Sequence, residues 1–156
     1  MRVHMERGAE LSPAMMDGVV KAMLGLSGVV ARSGLEQPLL ELVRLRASQL
    51  NGCAFCIDMH TKDARARGES EQRLYLLQAW RETPLYSDRE RAALLWTEAL
   101  TLVTGGSVPD AVYDEARQVF SDDELACLTV AVVAINGFNR LNAAFRTVPG
   151  SYQPAG

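Results

Sequence analysis

Two cysteines and a histidine occur close together near the middle of this 156-residue chain. Cys53, Cys56 and His60 have the spacing C-x-x-C-x-x-x-H. On an α-helix with 3.6 residues per turn, side chains at this spacing lie along one face. An imidazole one turn beyond a cysteine can accept the thiol proton or stabilise the thiolate, which is the reactive form. The spacing therefore predicts thiol chemistry, with the second cysteine able to close an intramolecular disulfide.

The residues just before the pair place Cys53 at the start of a helix. Asn51-Gly52 is a turn sequence that interrupts the preceding apolar helical pattern. At a helix N-terminus, the unpaired backbone N–H groups and the positive end of the helix dipole stabilise an anion. We therefore expect a lowered thiol pKa at this position, which favours a thiolate near neutral pH.

Two other interpretations of the same residues stay open. A C-x-x-C pair with a histidine could supply three zinc ligands, but a structural zinc site needs a fourth. The candidates for that ligand are remote, because Cys127 lies in an apolar stretch and His4 near the N-terminus. Free cysteines also pack well as small apolar side chains, so an inert pair in the core is the second alternative. Thiol chemistry without a metal is the interpretation that we favour.

The remainder of the chain carries helix signals and no alternating strand pattern of useful length. Ser87 with Glu90 and Ser121 with Glu124 have the spacing of capping boxes. Glycine or proline follows most of the apolar segments and marks where helices end. Helix starts are predicted at Pro13 after Ser12, near Pro38, at Cys53, after Ser70, after Ser87, near Pro109 and after Ser121.

These signals predict an all-α fold, a compact single-domain bundle of about six to eight helices. One domain is expected to cover residues 1–156, with its core at about 12–146. The last helix is apolar on nearly every side from Leu125 to Ile135, as in a central buried helix or an oligomer contact.

Several segment ends are predicted from proline and glycine. The helix that carries Trp80 is expected to end at Pro84, and the next helix at Gly105-Gly106. We expect the tail from Pro149 onward to be frayed.

The composition excludes several classes of protein. The chain is 48% hydrophobic and 22% charged with a net charge of −3, so it lacks the basic surface that nucleic-acid binding requires. The apolar run Leu125 to Ile135 is too short to span a bilayer, and residues 1–6 contain no apolar signal-peptide core. Three cysteines are too few for a secreted disulfide scaffold. We expect a cytoplasmic protein that binds neither nucleic acid nor membranes.

Glu41 is a candidate site residue because of its spacing in the sequence from the cysteines. A glutamate near a helix N-terminus most often only complements the helix dipole. Here Glu41 is followed twelve residues later by Cys53, and then by Cys56 and His60. This pattern resembles the signature of the carboxymuconolactone decarboxylase superfamily, and more closely that of its AhpD-like alkylhydroperoxidase branch. The similarity covers residues 12–146 approximately.

The resemblance implies a role for each of these residues. Cys56 would be the peroxidatic thiolate that attacks the terminal peroxide oxygen, and Cys53 would resolve the sulfenic acid as a disulfide. His60 would act as general base toward the attacking thiol, and Glu41 would belong to the proton relay. The implied activity is a thiol-dependent peroxidase for organic hydroperoxides. It would need no cofactor beyond the cysteine pair, and a lipoylated or thioredoxin-like protein would supply the reducing dithiol.

The resemblance also implies a homo-oligomer, a trimer or a hexamer, with the active site sheltered near subunit contacts. The chain departs from the family in two ways. Phe55 stands where the best-characterised AhpD proteins have a further histidine, so the relay would rest on Glu41, His60 and water, and turnover could be slow. The chain also has one copy of the helical unit where larger AhpD proteins have two.

Three other functions are alternatives to the peroxidase. A disulfide oxidoreductase or redox-responsive oligomer would use the same pair to exchange with protein thiols. Lactone decarboxylation, the activity that names the superfamily, does not require a thiol pair. A non-catalytic binding or assembly module would explain the cysteines by a metal or by core packing.

Overall fold

The computed structural model describes residues 13–154, and these residues fold into seven α-helices without a β-strand. The predicted all-α class and the predicted number of helices are confirmed. Two short 3₁₀ segments, Leu77–Glu82 and Val103–Gly105, follow the fourth and fifth helices. The helices are α1 (Pro13–Ala31), α2 (Gln37–Leu50), α3 (Ala54–Ala66), α4 (Glu71–Leu76), α5 (Asp88–Thr101), α6 (Asp110–Arg117) and α7 (Asp122–Phe145).

Local capping explains where most of these helices begin. Both predicted capping boxes form, since Ser87 accepts a hydrogen bond from the Glu90 backbone N–H and Ser121 accepts one from that of Glu124. The glutamate of each box accepts a 2.8 Å hydrogen bond from the backbone N–H of its serine. Pro38 lies in the first turn of α2, as expected. The predicted cap at Ser12 lies outside the described residues.

Two predicted helix ends are wrong. Regular α-helix stops at Leu76, well before Pro84, and Ala79 has a non-helical backbone within the 3₁₀ segment that follows. In this segment the Trp80 indole N–H donates to Glu98 of α5 at 2.8 Å, so a tertiary contact competes with regular helix geometry. Helix α5 likewise ends at Thr101 rather than at the double glycine.

The prediction of a frayed tail is also wrong for residues 149–154. The Gly150 backbone N–H donates to Asp58 at 3.0 Å, and the Tyr152 hydroxyl donates to Asp63 at 2.7 Å. Lys62 donates to the Tyr152 carbonyl at 3.1 Å. These three partners lie on α3, so polar contacts fix the tail against the outer side of that helix.

Helix α2 is central to the bundle and packs against α3, α5 and α7, while α1 packs against α7. The main apolar core lies between α2, α5 and α7. A separate small cluster encloses the cysteine pair and is built from Ala47, Cys53, Phe55, Cys56 and Ile135. The start of α3 is therefore held between α2 and α7.

Two of the described helices, α1 and α7, are long and apolar enough to cross a membrane by length and composition alone. In α7 this character reflects a core helix, because Leu128, Val132 and Ile135 are buried inside the bundle. Only 6% of the apolar window of α1 is buried. Its exposed side chains include Met15 and Leu24, which leaves an apolar surface along this helix.

Shortening Leu128 tests the assignment of α7 to the core. Leu128 is fully buried, so Leu128→Ala should lower the free energy of unfolding by about 2–5 kcal/mol through lost burial and the cavity left behind. Leu102→Ala, at a side chain that is 58% exposed, is the control and should change it by less than about 1 kcal/mol. Equal losses in urea unfolding of the two variants would contradict this packing.

Candidate active site

The cysteine pair lies at the N-terminus of α3, as predicted. The preceding turn reverses the chain at Gly52, whose φ of +64° is a left-handed conformation that glycine adopts without strain. Cys53 is the N-cap residue of α3, and Cys56 lies in its first turn. The two Sγ atoms are 2.8 Å apart, and both side chains are buried. This is hydrogen-bond contact between two free cysteines that need to move little to form a disulfide.

The two thiols have opposite pKa shifts. The pKa of Cys53 is lowered to about 7, because the Cys56 thiol, the nearby backbone N–H groups of Cys56 and Phe55 and the Asn139 amide stabilise its thiolate and outweigh the effect of burial. The pKa of Cys56 is raised, because its proton is held by the Cys53 sulfur and because burial and the neighbouring negative charge oppose a second thiolate. The pair therefore loses its first proton around neutral pH, and the second proton stays in the S–H···S hydrogen bond.

Polar side chains of α7 surround the pair from the opposite side. The Asn142 amide donates to the Cys56 Sγ at 3.3 Å. Asn139 is 1% exposed, donates to Ser48 at 3.0 Å and accepts from Asn51 at 2.9 Å. These asparagines were not among the residues predicted for the site. The signal that could have found them is a polar residue at every third position of an apolar helix, from Asn136 to Asn142.

Glu41 and His60 form a second buried pair. The Glu41 Oε2 atom lies 2.9 Å from Nδ1 of His60, which joins α2 to α3 across 19 positions of sequence. The other carboxylate oxygen of Glu41 accepts from Arg44 at 2.9 Å and from Arg67 at 3.4 Å. Burial raises the pKa of Glu41, but the His60 hydrogen bond and the charges of His60, Arg44 and Arg67 outweigh it, so the pKa is lowered. The carboxylate stays charged and orients the imidazole.

The structure brings the four predicted residues together as two pairs rather than as one continuous network. In the described chain the hydrogen bond of His60 reaches Glu41 and neither sulfur. Any proton transfer between His60 and the cysteines therefore runs through a water molecule or a substrate. His60 and Asn142, the residue that donates to Cys56, line the same cavity.

This cavity has a volume of about 470 Å³ and lies between α1, α2, α3 and α7. Its walls are mostly apolar, and its polar groups include His60, Arg44 and Asn142. Phe55 forms part of the wall, which explains what an aromatic residue does at this position of the motif. A pocket with apolar walls and a few polar groups at one place suits a small organic molecule with one polar group. The remaining apolar lining comes from Val20, Leu24, Val30, Met59, Ala131, Ala134, Ile135 and Phe138.

One group of described residues has the composition of a metal site. Ligand atoms of Glu41, His60 and Asp63 lie within 4.8 Å of one another. Both carboxylates already have partners, since Arg44 donates to Glu41 and Tyr152 donates to Asp63. The arginines supply the positive charge that a cation would bring, so this group fits a hydrogen-bond network better than a metal site.

The positions of the described residues do not support the zinc site that is the alternative interpretation of the cysteine pair. Cys127 packs against the main apolar core, whereas Cys53 and Cys56 belong to the separate cluster at the start of α3. His4, the other candidate ligand, lies outside the described residues. A fourth ligand beside the pair is therefore not found in residues 13–154.

The described residues thus form an all-helical bundle with a cysteine pair at a helix N-terminus and a buried glutamate–histidine pair. A family model described as the carboxymuconolactone decarboxylase family matches residues 17–99. The uncharacterized protein YdfG of Bacillus subtilis is 41% identical over 135 residues, which are 86% of this chain and 89% of that protein. The uncharacterized protein YnjA of Escherichia coli is 34% identical over 116 residues, and the match spans only 61% of YnjA.

Solved structures agree with this assignment. A crystal structure of a protein of unknown function from Agrobacterium tumefaciens, whose suggested role is that of the antioxidant defence protein AhpD, has a TM-score of 0.82 and 41% identity. The match covers 99% of this chain and 100% of that one. The debrominase Bmp8, at 17% identity and a TM-score of 0.78 over 88% of this chain and 74% of that one, shares the fold. This chain belongs to the carboxymuconolactone decarboxylase family, in its AhpD-like branch.

The shared proton of the pair makes a testable prediction. The thiolate forms as pH rises, so alkylation of Cys53 by iodoacetamide should accelerate through a midpoint near pH 7, the lowered pKa. Cys56→Ala removes the strongest donor to the Cys53 sulfur, so the midpoint should move to higher pH. Cys127→Ser, outside the pair, should leave the midpoint in place. A midpoint that Cys56→Ala does not move would show that the S–H···S bond does not hold the charge.

Proposed function

We propose that this protein is a thiol peroxidase that reduces organic hydroperoxides and cycles through a Cys53–Cys56 disulfide. The observation that carries the proposal is the 2.8 Å contact between the two sulfurs, beside a cavity that is lined by His60. A peroxide bound there would lie beside His60 and beside Asn142, whose amide contacts the Cys56 sulfur. Membership of the AhpD-like branch and the antioxidant role suggested for the Agrobacterium tumefaciens protein support the same activity.

The proposed chemistry assigns a step to each residue. The Cys56 thiolate attacks the terminal hydroperoxide oxygen, the O–O bond breaks, and Cys56 becomes a sulfenic acid. His60, which Glu41 orients, acts as general base: it accepts through water the proton that the thiol pair loses and returns it to the alkoxide that leaves. The Cys53 sulfur then attacks the sulfenic sulfur, the S–O bond breaks, and the thiol proton of Cys53 converts the leaving hydroxide to water. The cysteine pair has lost two electrons, which an external dithiol restores.

The pKa shifts place the resting negative charge on Cys53, whereas the family resemblance assigns the attack to Cys56. The two assignments are compatible, because a proton in an S–H···S bond of 2.8 Å can move from the Cys56 sulfur to the Cys53 sulfur. Cys56 is then the thiolate, and Cys53 carries the proton that the second step needs. In this proposal the pair ionises near neutral pH because the pKa of Cys53 is low, and Cys56 is the nucleophile once the remaining proton has moved to Cys53.

The burial of the pair bears on the substrate and on the reductant. Cys53 is 4% exposed and Cys56 is fully buried, so a folded protein disulfide cannot contact either sulfur without a rearrangement. Neither cysteine lines the cavity, but a small hydroperoxide bound there needs only a local opening beside Asn142 to reach Cys56, which favours the peroxidase over exchange with protein thiols. The same argument favours a lipoylated protein over a thioredoxin-like protein as the reductant. A lipoyl arm is narrow enough to enter the cavity that the substrate uses.

The disulfide oxidoreductase is the second candidate. The observation in its favour is the lowered pKa of Cys53 at a helix N-cap, a placement that also suits thiol–disulfide exchange. Comparing rates with a hydroperoxide and with a protein or lipoyl disulfide separates the two activities. Faster exchange with the disulfide substrate, with no reaction of the hydroperoxide, would select the second candidate.

Assembly and location are parts of the same proposal. The exposed apolar side chains of α1 form a surface that a second copy of the chain would cover, so we propose the homo-oligomer, a trimer or hexamer, that the family resemblance implies. The described cysteines are free, which suits the reducing cytoplasm.

Cys56→Ser should abolish turnover of an alkyl hydroperoxide with a dithiol reductant, because serine cannot form the sulfenic acid. Mass spectrometry after one equivalent of hydroperoxide should show the wild-type protein two hydrogens lighter, with Cys53 bonded to Cys56. Cys127→Ser is the control and should turn over at the wild-type rate. Full activity of Cys56→Ser would refute the assignment.

Filling the cavity tests the substrate class. Ala134 lines the cavity on α7, so Ala134→Phe should raise KM for an aromatic hydroperoxide such as cumene hydroperoxide by about tenfold or more. Hydrogen peroxide needs little of this volume, and its kcat/KM should change much less. Ala126→Phe, on the exposed side of the same helix, is the matched control. An equal effect of Ala134→Phe on both peroxides would show that the substrate does not use the cavity.

A further inference from the structure

Asn142 is the polar side chain that lies between the cavity and the Cys56 sulfur. Its amide donates to the Cys56 Sγ at 3.3 Å and to the Phe138 carbonyl of its own helix at 2.9 Å. The same side chain lines the 470 Å³ cavity, whereas neither cysteine does. A molecule in the cavity therefore lies beside the Asn142 side chain, which in turn contacts the Cys56 sulfur.

The second contact of Asn142 fixes its orientation. Because one amide N–H is held by the Phe138 carbonyl, one turn earlier in α7, the other N–H is directed at the sulfur. A donor held in place by its own helix costs little reorganisation when charge develops at its partner. The orientation of the N–H that donates to Cys56 is therefore fixed by α7 and does not depend on the conformation of a loop.

Asn139 of α7 lowers the pKa of both thiols, whereas Asn142 donates to the Cys56 sulfur. Cys53, as the N-cap residue, lies beside the first backbone N–H groups of α3. Cys56 receives a side-chain donor from α7, 86 residues further along the chain. Hydrogen bonds to a thiolate lower the free energy of the charged form, so the Asn142 bond favours the proton on Cys53 and the charge on Cys56.

The chemistry of an amide also suits the substrate. A primary amide carries both donors and an acceptor, and a hydroperoxide presents a terminal O–H donor together with oxygen acceptors. Of the other polar groups of the cavity, His60 and Arg44 are both paired with Glu41, and the Ser27 hydroxyl donates to the Met23 carbonyl. Asn142 is therefore the amide group of the cavity wall that directly contacts a reacting atom.

We propose that Asn142 is a catalytic residue that selects Cys56 as the attacking thiolate and guides the terminal peroxide oxygen to it. In the first step an electron pair of the Cys56 thiolate forms the S–O bond, the O–O bond breaks and the alkoxide leaves. The hydrogen bond from the Asn142 N–H then shifts from the sulfur to the sulfenic oxygen. No proton leaves the amide. The reductive step, in which an external dithiol opens the disulfide, does not use this donor. That Asn142 guides the peroxide oxygen rests on the proposed peroxidase function. That Asn142 selects Cys56 as the thiolate does not depend on it.

Asn142→Ala removes the donor, and Asn142→Asp keeps the shape but places a negative charge beside the sulfur. We expect Asn142→Ala to slow disulfide formation after one equivalent of hydroperoxide by roughly 10- to 100-fold, and Asn142→Asp by more. Reduction of the preformed disulfide by dihydrolipoamide should change by less than about threefold. Asn136→Ala, on the same helix and in contact with neither sulfur, is the matched control and should leave both rates near those of the wild type.

A second readout needs no peroxide. In a Cys53→Ser background, the pH midpoint for alkylation of Cys56 should rise with Asn142→Ala and rise further with Asn142→Asp, while thermal unfolding of the variants reports their folding. Unmoved midpoints in folded variants, or equal slowing of the oxidative and reductive steps, would overturn the inference. If the midpoints rise but the wild-type protein reduces no hydroperoxide, then the assignment of the thiolate holds and the proposed function fails. If Asn142→Ala does not fold, the isosteric Asn142→Asp decides the outcome alone.

Discussion

The S–H···S contact between Cys53 and Cys56 depends on where α3 begins. Gly52 reverses the chain immediately before the pair, so Cys53 caps the helix and Cys56 occupies its first turn. If the helix began one turn earlier, Cys53 would lose its place beside the unpaired backbone N–H groups, which add to the effect of the Cys56 thiol in lowering its pKa. The charge of the pair and its disulfide geometry both depend on this helix start.

A buried carboxylate is the second constraint on the site. Glu41 lies between α2 and α3, where an unpaired charge would be strongly destabilising. His60, Arg44 and Arg67 together satisfy it, and each contact also orients the partner. The same contacts explain why Glu41, His60 and Asp63, although close enough to resemble a metal site, form a hydrogen-bond network. The imidazole is thus held at the cavity wall with a defined tautomer.

Helix α7 is both an apolar core helix and the carrier of a row of polar asparagine side chains. Leu128 and Val132 bury it in the core, while asparagines at every third position face α2, α3 and the cavity. Each of these amides has hydrogen-bond partners, so the polar stripe does not leave buried groups unsatisfied. Because the stripe ends at Asn142, the helix brings a donor to the Cys56 sulfur from the side opposite α3. An apolar core helix is in this way also a wall of the proposed active site.

Sequence patterns alone determined the all-α class, both capping boxes, the helix start at Cys53 and the candidates Cys53, Cys56 and His60, because caps and i, i+3 and i+4 spacing are local properties. Glu41 became a candidate only through the family resemblance. Local sequence patterns could not predict three other features: the early end of α4, the fixed tail at Tyr152 and the contact of Asn142 with Cys56. They depend on partners far away in sequence, such as Glu98 for Trp80. Only the tertiary structure decided that Glu41 bonds His60, that neither sulfur does, and that Phe55 lines a cavity, since burial and long-range contacts exist only once the helices have packed.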